Sequence, residues 1–304
     1  MASNAIGLDD RRVSVTASSV ARRVETVPPV SYFLTSAIFH YLGPSLAVLL
    51  FVHVPALGVA WLRIMSAAVV FAVWRRPWRV FAAASSSERR LLFALGAVLA
   101  AMNAVFYLAV ARLTLSTVGA IEFLGTLVLA AFGARSPRNA LALAVAVGGV
   151  AVLADVRLSG SPLGFVFAFA NCACWVLYVV LGHRVSRIAG AAGGIDRLGA
   201  AMLVGAIVVS PLGLGDAARA FAHPTWLAWG VGVGLCSSVV PYVTDQLAMA
   251  RLPQSTFATM LALLPAAALL MGLVVLGQVP TAADLAGVGL VILGLVLHRP
   301  STQG

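Results

Sequence analysis

Residues 107–126 read YLAVARLTLSTVGAIEFLGT, and residues 246–265 read QLAMARLPQSTFATMLALLP. At an offset of 139, eight of these twenty positions are identical, including the Ala-Arg-Leu turn (Arg112 and Arg251) and the Ser-Thr pair that follows it. Each copy joins the end of one apolar run to the start of the next. The surrounding chain is 61% hydrophobic and only 10% charged, against roughly 25% charged in an ordinary soluble domain. A water-facing surface needs charge and a lipid-facing one excludes it, so this composition selects an all-α polytopic membrane protein.

A membrane-spanning helix needs about 20 apolar residues. Ten runs meet that need approximately, at 30–52, 57–74, 91–111, 115–133, 139–155, 162–182, 198–214, 226–249, 256–276 and 282–297. The two copies of the repeat lie five spans apart, an odd number, so the first turn faces one side of the membrane and the second the other. The expectation is ten transmembrane helices in a 5+5 inverted-topology repeat, an arrangement that recurs in secondary transporters. Residues 1–28 read as a disordered cytoplasmic tail without the apolar core of a signal peptide. Residues 29–157 form the first five-helix unit, 158–298 the second, and 299–304 a short cytoplasmic tail.

The net charge of +10 comes from 20 Arg and no Lys. With the N-terminus in the cytoplasm, 16 Arg fall inside and three (Arg112, Arg157 and Arg219) outside, while Arg63 lies within a span. Positive residues mark cytoplasmic loops, so both termini are placed inside, and the basic excess reads as topology, not as a nucleic-acid surface. Cys172, Cys174 and Cys236 sit within apolar runs. They read as packing residues, with no metal and no disulfide implied.

An ionisable side chain inside a span is a functional candidate. Arg63 in span two and Glu122 in span four each lie six or seven residues from the outer end, roughly 10 Å deep at 1.5 Å per residue, and are expected to form an ion pair facing the bundle interior. Asn103 and Asn171 fall at a similar depth, and His40 near the middle of span one. For Glu122, burial favours the neutral acid and Arg63 favours the carboxylate; the sequence leaves the balance open. Asp245 follows Pro241 by four residues. The proline should weaken its helix and free a carbonyl, and Asp245 either lines the inner mouth or pairs with Arg251. Tyr107, Trp175, Tyr178, Tyr242 and Phe106 are candidate pocket aromatics, although aromatics in spans commonly serve packing or the interface. Gly148-Gly149 and the series Gly230, Gly232, Gly234 read as points of close helix approach. The chain contains no HExxH, GxSxG or P-loop motif and no cofactor signature, so no enzymatic activity is expected.

The stretches WLRIMSAA (61–68), MNAVFYLA (102–109), AIEFLGTL (120–127), CWVLYVVLGHR (174–184) and VVPYVTDQLAMARLPQSTFATM (239–260) resemble the drug/metabolite transporter superfamily, EamA type, and within it the threonine/homoserine exporter branch. The resemblance spans about residues 30–298. It implies a ten-helix inverted repeat in the bacterial inner membrane that exports amino acids or related metabolites. The family's span-two Arg falls on Arg63, its span-three Asn on Asn103, its span-four Glu on Glu122 and its span-eight acid on Asp245. Three positions depart from the pattern: Leu264-Pro265 stands in place of Glu-Pro, Gln278 in place of Glu, and Thr126 in place of a proline. The partners expected are a small polar substrate, the lipid bilayer and protons, with a homodimer left open. An uncoupled facilitator, an uptake permease and a non-transporting scaffold are the alternative readings.

Overall fold

The computed structural model describes residues 28–133, 136–155, 161–249 and 263–297, with the side chains at 29, 126–133, 154–155, 183, 186–192, 246–247 and 249 left out of the description. The order is α1 (Pro29–Leu50), α2 (Ala56–Arg75), α3 (Trp78–Ala83), α4 (Ser86–Val110), α5 (Leu115–Gly133), α6 (Pro137–Asp155), α7 (Pro162–Phe221), α8 (Pro224–Gly234), a π-helical turn (Leu235–Val239), α9 (Val240–Met249), α10 (Leu264–Leu276) and α11 (Ala282–Leu297). Six stretches have the length and hydropathy of a membrane span: Val30–Leu50, Ala56–Arg75, Ser86–Val110, Pro162–Gly182, Gly193–Phe221 and Pro224–Asp245. Four shorter apolar helices, Leu115–Gly125, Pro137–Leu153, Leu264–Leu276 and Ala282–Leu297, fall on the other four runs seen in the sequence.

Local chemistry sets the helix ends. Proline occupies the first turn of α1, α7, α8 and α10, where its missing N–H costs nothing. Ser85 and Ser161 accept from the backbone N–H of Glu88 and Gly164, both at 3.2 Å. At α11 a reciprocal capping box forms: Asp284 Oδ2 accepts from Thr281 N at 2.9 Å, and Thr281 Oγ1 accepts from Asp284 N at 3.1 Å. Asp284 is therefore a buried acid with a structural role. Two helices stop in left-handed backbone, at Arg76 (φ 50°) and Gly277 (φ 64°); the first is followed by Pro77, which ends the helical path.

One expectation changes in α7. The sequence suggests a loop between a span at 162–182 and a shorter one at 198–214, whereas the chain is helical from Pro162 to Phe221, and the second apolar stretch runs from Gly193 to Phe221. No proline lies between 163 and 210, so no residue there removes a helical N–H. The chain still doubles back within this element. Gly164 packs on Leu113, just past α4, and Gly58 of α2 packs on the backbone at Asp216. Arg63 of α2 meets Tyr107 of α4 at that same end. At the opposite end Arg75 pairs with Asp196 at 2.5 Å and Glu88 with Arg197 at 2.6 Å.

Small residues bring the helices together. A Cβ on Gly96 would meet Ala201 O at 2.6 Å, one on Gly149 would meet Gly287 O at 2.6 Å, and one on Gly294 would meet Ala142 O at 2.6 Å. Lipid supplies no hydrophobic drive between helices, so such close contacts carry the packing. The outer surface is apolar: Val30, Leu34 and Ile38, spaced by four along α1, are all exposed. Of the glycines noted in the sequence, Gly230 and Gly234 pack against α2, while Gly148 and Gly232 face open space. The expectation of close approach is corrected for those two, which lie on the outward helix face. The second copy of the repeat, including the turn at Arg251, lies largely outside the described residues.

Candidate functional site

Between the helices lies a small cavity of about 20 Å³, lined by His40, Pro44, Arg63, Met102, Asn103, Phe106, Glu122, Asn171, Trp175 and Tyr242. That is room for roughly one water, so the polar groups crowd around a narrow space. Arg63, Asn103, Glu122 and Asn171 are all buried, and they come from α2, α4, α5 and α7. Four helices thus deliver one charged or amide side chain each to a single point in an otherwise apolar bundle.

Arg63 is held by the π-helical turn after α8. Its Nε donates to Ser238 Oγ at 2.9 Å, one terminal nitrogen donates to the Ser237 carbonyl at 3.0 Å, and the other approaches Tyr107 Oη at 3.5 Å. The guanidinium also lies 5.6 Å from the centre of the Tyr107 ring. Pro241 explains the arrangement. It has no N–H to give the carbonyl four residues earlier, which is that of Ser237, and its ring crowds that carbonyl. The helix widens into a π turn, a feature frequent at functional sites. The freed carbonyl expected from Pro241 is thus Ser237 O, and Arg63 takes it.

The direct Arg63–Glu122 ion pair expected from sequence does not form. The two groups face the same cavity within electrostatic reach, but the serines and Tyr107 orient the guanidinium. Glu122 Oε2 is buried without a hydrogen-bond partner. The Asn171 amide sits beside the carboxylate, yet neither its oxygen nor its nitrogen closes a hydrogen bond. Asn103 Nδ2 donates to Leu99 O at 2.8 Å, leaving Oδ1 without a partner.

Of the aromatics, Phe106, Trp175 and Tyr242 line the cavity, with His40 set edge-on to Trp175 at 6.1 Å. Tyr107 stands one layer back, behind Arg63. Tyr178 is also outside the lining, between Trp175 (5.5 Å) and Tyr242 (6.2 Å). Asp245 is not a cavity residue; it neighbours Ser36, Tyr178 and Tyr242. Its suggested partner Arg251 lies outside the described residues. The sequence reading did not single out Ser237 and Ser238, although their spacing of four and three residues before Pro241 was the available signal. Met102 and Pro44 were missed as well. Among the described residues, no three His, Cys, Asp or Glu side chains are grouped to hold a metal.

A bundle of apolar helices enclosing buried charge and amide groups defines a multi-pass membrane protein of the transporter class. The model of the EamA-like transporter family matches residues 162–298. The chain is 33% identical to the threonine/homoserine exporter RhtA of Escherichia coli strain K12, over 82% of this chain and 84% of that one. It is 34% identical to the threonine/homoserine exporter RhtA of Salmonella typhimurium strain LT2, over 79% of this chain and 80% of that one. The chain belongs to the EamA-type drug/metabolite transporters, in the branch of these exporters.

Proposed function

We propose that the protein is a secondary exporter of a small amino acid, of the threonine or homoserine type, working by alternating access in the bacterial inner membrane with both termini in the cytoplasm. The observation that carries this reading is the convergence of Arg63, Glu122, Asn103 and Asn171 on one small cavity. Polar groups are costly at such depth unless they serve a solute. Ten spans in two inverted five-helix halves, residues 29–157 and 158–298, supply two opposed bundles around that cavity. The relatives named above supply the substrate class. Arg63 keeps N–H donors beyond its three protein contacts and is placed to orient a carboxylate bidentately. The ion pairs Arg75–Asp196 and Glu88–Arg197 tie α2 and α4 to α7 at one end. We assign that end to the cytoplasmic gate, whose pairs part when the site opens inward.

Purified protein in proteoliposomes is expected to exchange internal unlabelled threonine or homoserine for labelled threonine. Rates no higher than those of empty vesicles for every amino acid offered would sink the reading. Coupling is assigned to protons through Glu122, the titratable acid at the cavity. An imposed pH gradient is expected to drive threonine accumulation, and a protonophore to abolish it. Glu122→Gln, which cannot carry the proton, is expected to lose uphill transport entirely; unchanged uphill transport in that variant would remove Glu122 from the coupling step.

A second reading, an uncoupled facilitator, is favoured by one observation. Gln278, where the family carries an acid, uses Oε1 to accept from Leu115 N at 3.3 Å. The side chain there is a neutral tie between α5 and the end of α10. Transport indifferent to the pH gradient is the outcome that selects this reading.

A further inference from the structure

We infer that Glu122, Asn103 and Asn171 form a docking site for a primary ammonium group. This deepens the amino-acid reading above and rests on it for the substrate, but its observations are separate. The cavity is unbalanced in its hydrogen bonding. Glu122 Oε2 and Asn103 Oδ1 are buried acceptors without partners, and both amide atoms of Asn171 are equally unpartnered.

The orientation of Asn103 is fixed by its chemistry. Its other amide atom bonds the Leu99 carbonyl at 2.8 Å. A carbonyl only accepts, so that atom is the nitrogen and the free one is the oxygen. Pro44 adds to the excess, because it has no N–H to give the carbonyl of His40, and both residues line the cavity. On the donor side, Arg63 spends three of its five N–H groups on Ser238, Ser237 and Tyr107, and the Asn171 amide nitrogen is the other donor left over; the negative charge at Glu122 has no cation bonded to it.

Leaving buried acceptors unsatisfied is costly, and more so where the group is charged. A ligand that resolves this imbalance must bring several N–H donors and a positive charge in a small head. A primary ammonium has three donors and no acceptor. A hydroxyl has one donor and adds acceptors, a carboxylate adds only acceptors beside Glu122, and a quaternary ammonium has no donor. The aromatic lining from Trp175 and Tyr242 also suits a cation. The space of about one water suits the ammonium head alone; in a state opened to admit a zwitterion, the ammonium at Glu122 and a carboxylate turned to Arg63 would set the direction in which it lies.

The test uses the full purified chain in detergent and matched ligand pairs that differ only in the nitrogen. The pairs are threonine against 2,3-dihydroxybutyrate, and threoninol against butane-1,2,3-triol. The ammonium member of each pair is expected to raise the melting temperature, with apparent affinity at least roughly tenfold above its hydroxyl counterpart. Glu122→Gln is expected to remove the shift. Should that variant fail to fold, Asn103→Leu carries the same expectation. The inference is overturned if hydroxyl members stabilise equally, if no member stabilises the wild type, or if either folded variant keeps the full shift. Absent threonine exchange in proteoliposomes, together with a persistent threoninol shift, would support the ammonium site while sinking the amino-acid reading.

Discussion

Arg63→Lys is expected to reduce threonine exchange at least tenfold while leaving a folded protein, and Arg63→Ala to abolish exchange and destabilise the bundle. The reason is geometric. The guanidinium spans three protein partners at once: Ser238 Oγ, Ser237 O and Tyr107 Oη. A lysine keeps the charge but presents one point with three rotating donors, so it cannot reproduce that fork and still meet a substrate carboxylate. In the alanine variant the Ser237 carbonyl that Pro241 leaves free loses its donor, and Glu122 loses the positive charge across the cavity. Removing a buried charged partner costs about 3–5 kcal/mol, a large share of a marginal stability. Ser238→Ala, which deletes one bond to the same cation, is expected to cost about 1.5–3 kcal/mol. Thermal melting in detergent and counterflow in vesicles measure both effects. Wild-type exchange by Arg63→Lys would show that the fork geometry is not used.

The depth estimate places Arg63, Glu122, Asn103 and Asn171 at one level, and they meet there because rise per residue is fixed once the chain is helical. Lateral position is a different matter. Which helix neighbours which is decided by close contacts such as Gly96 on Ala201 or Gly149 on Gly287, and spacing along the chain does not contain that. The expected Arg63–Glu122 ion pair failed for this reason: the serines that claim the guanidinium lie 174 and 175 positions away in sequence. The proline effect was legible because it is local, a missing N–H four residues from a known carbonyl. Tyr178 and Asp245 were harder to place. Their lateral neighbours were not legible: Tyr178 lies between Trp175 and Tyr242, and Asp245 neighbours Ser36 and Tyr242. The helicity between the two spans of α7 escaped because 183–197 carries arginines, Asp196 and glycines that read as a loop, while no proline there breaks the helix.

Gly234→Val is expected to uncouple the π turn from α2 and to abolish exchange. A Cβ at Gly234 would overlap Ser66 Oγ and stand 2.7 Å from the carbonyl oxygen of Arg63 itself. Both belong to α2, and one is backbone, which cannot swing aside. The added side chain must push α2 away from the Leu235–Val239 segment, which carries the two serines that hold Arg63. Overpacking of this kind costs about 1–3 kcal/mol, and a shift of about 1 Å at a binding group is enough to cost roughly 100-fold in function. Two residues earlier, Gly232 has nothing within 4 Å of the same added atom, so Gly232→Val provides a control on the same helix with the same change in propensity and hydrophobicity. The expected pattern is a lowered melting temperature and near-complete loss of exchange for Gly234→Val, with wild-type behaviour for Gly232→Val. If both variants lose activity alike, the cause is helix propensity or expression, and the link from Gly234 through α2 to Arg63 is broken; if neither does, the segment tolerates displacement and Arg63 finds its partners without that contact.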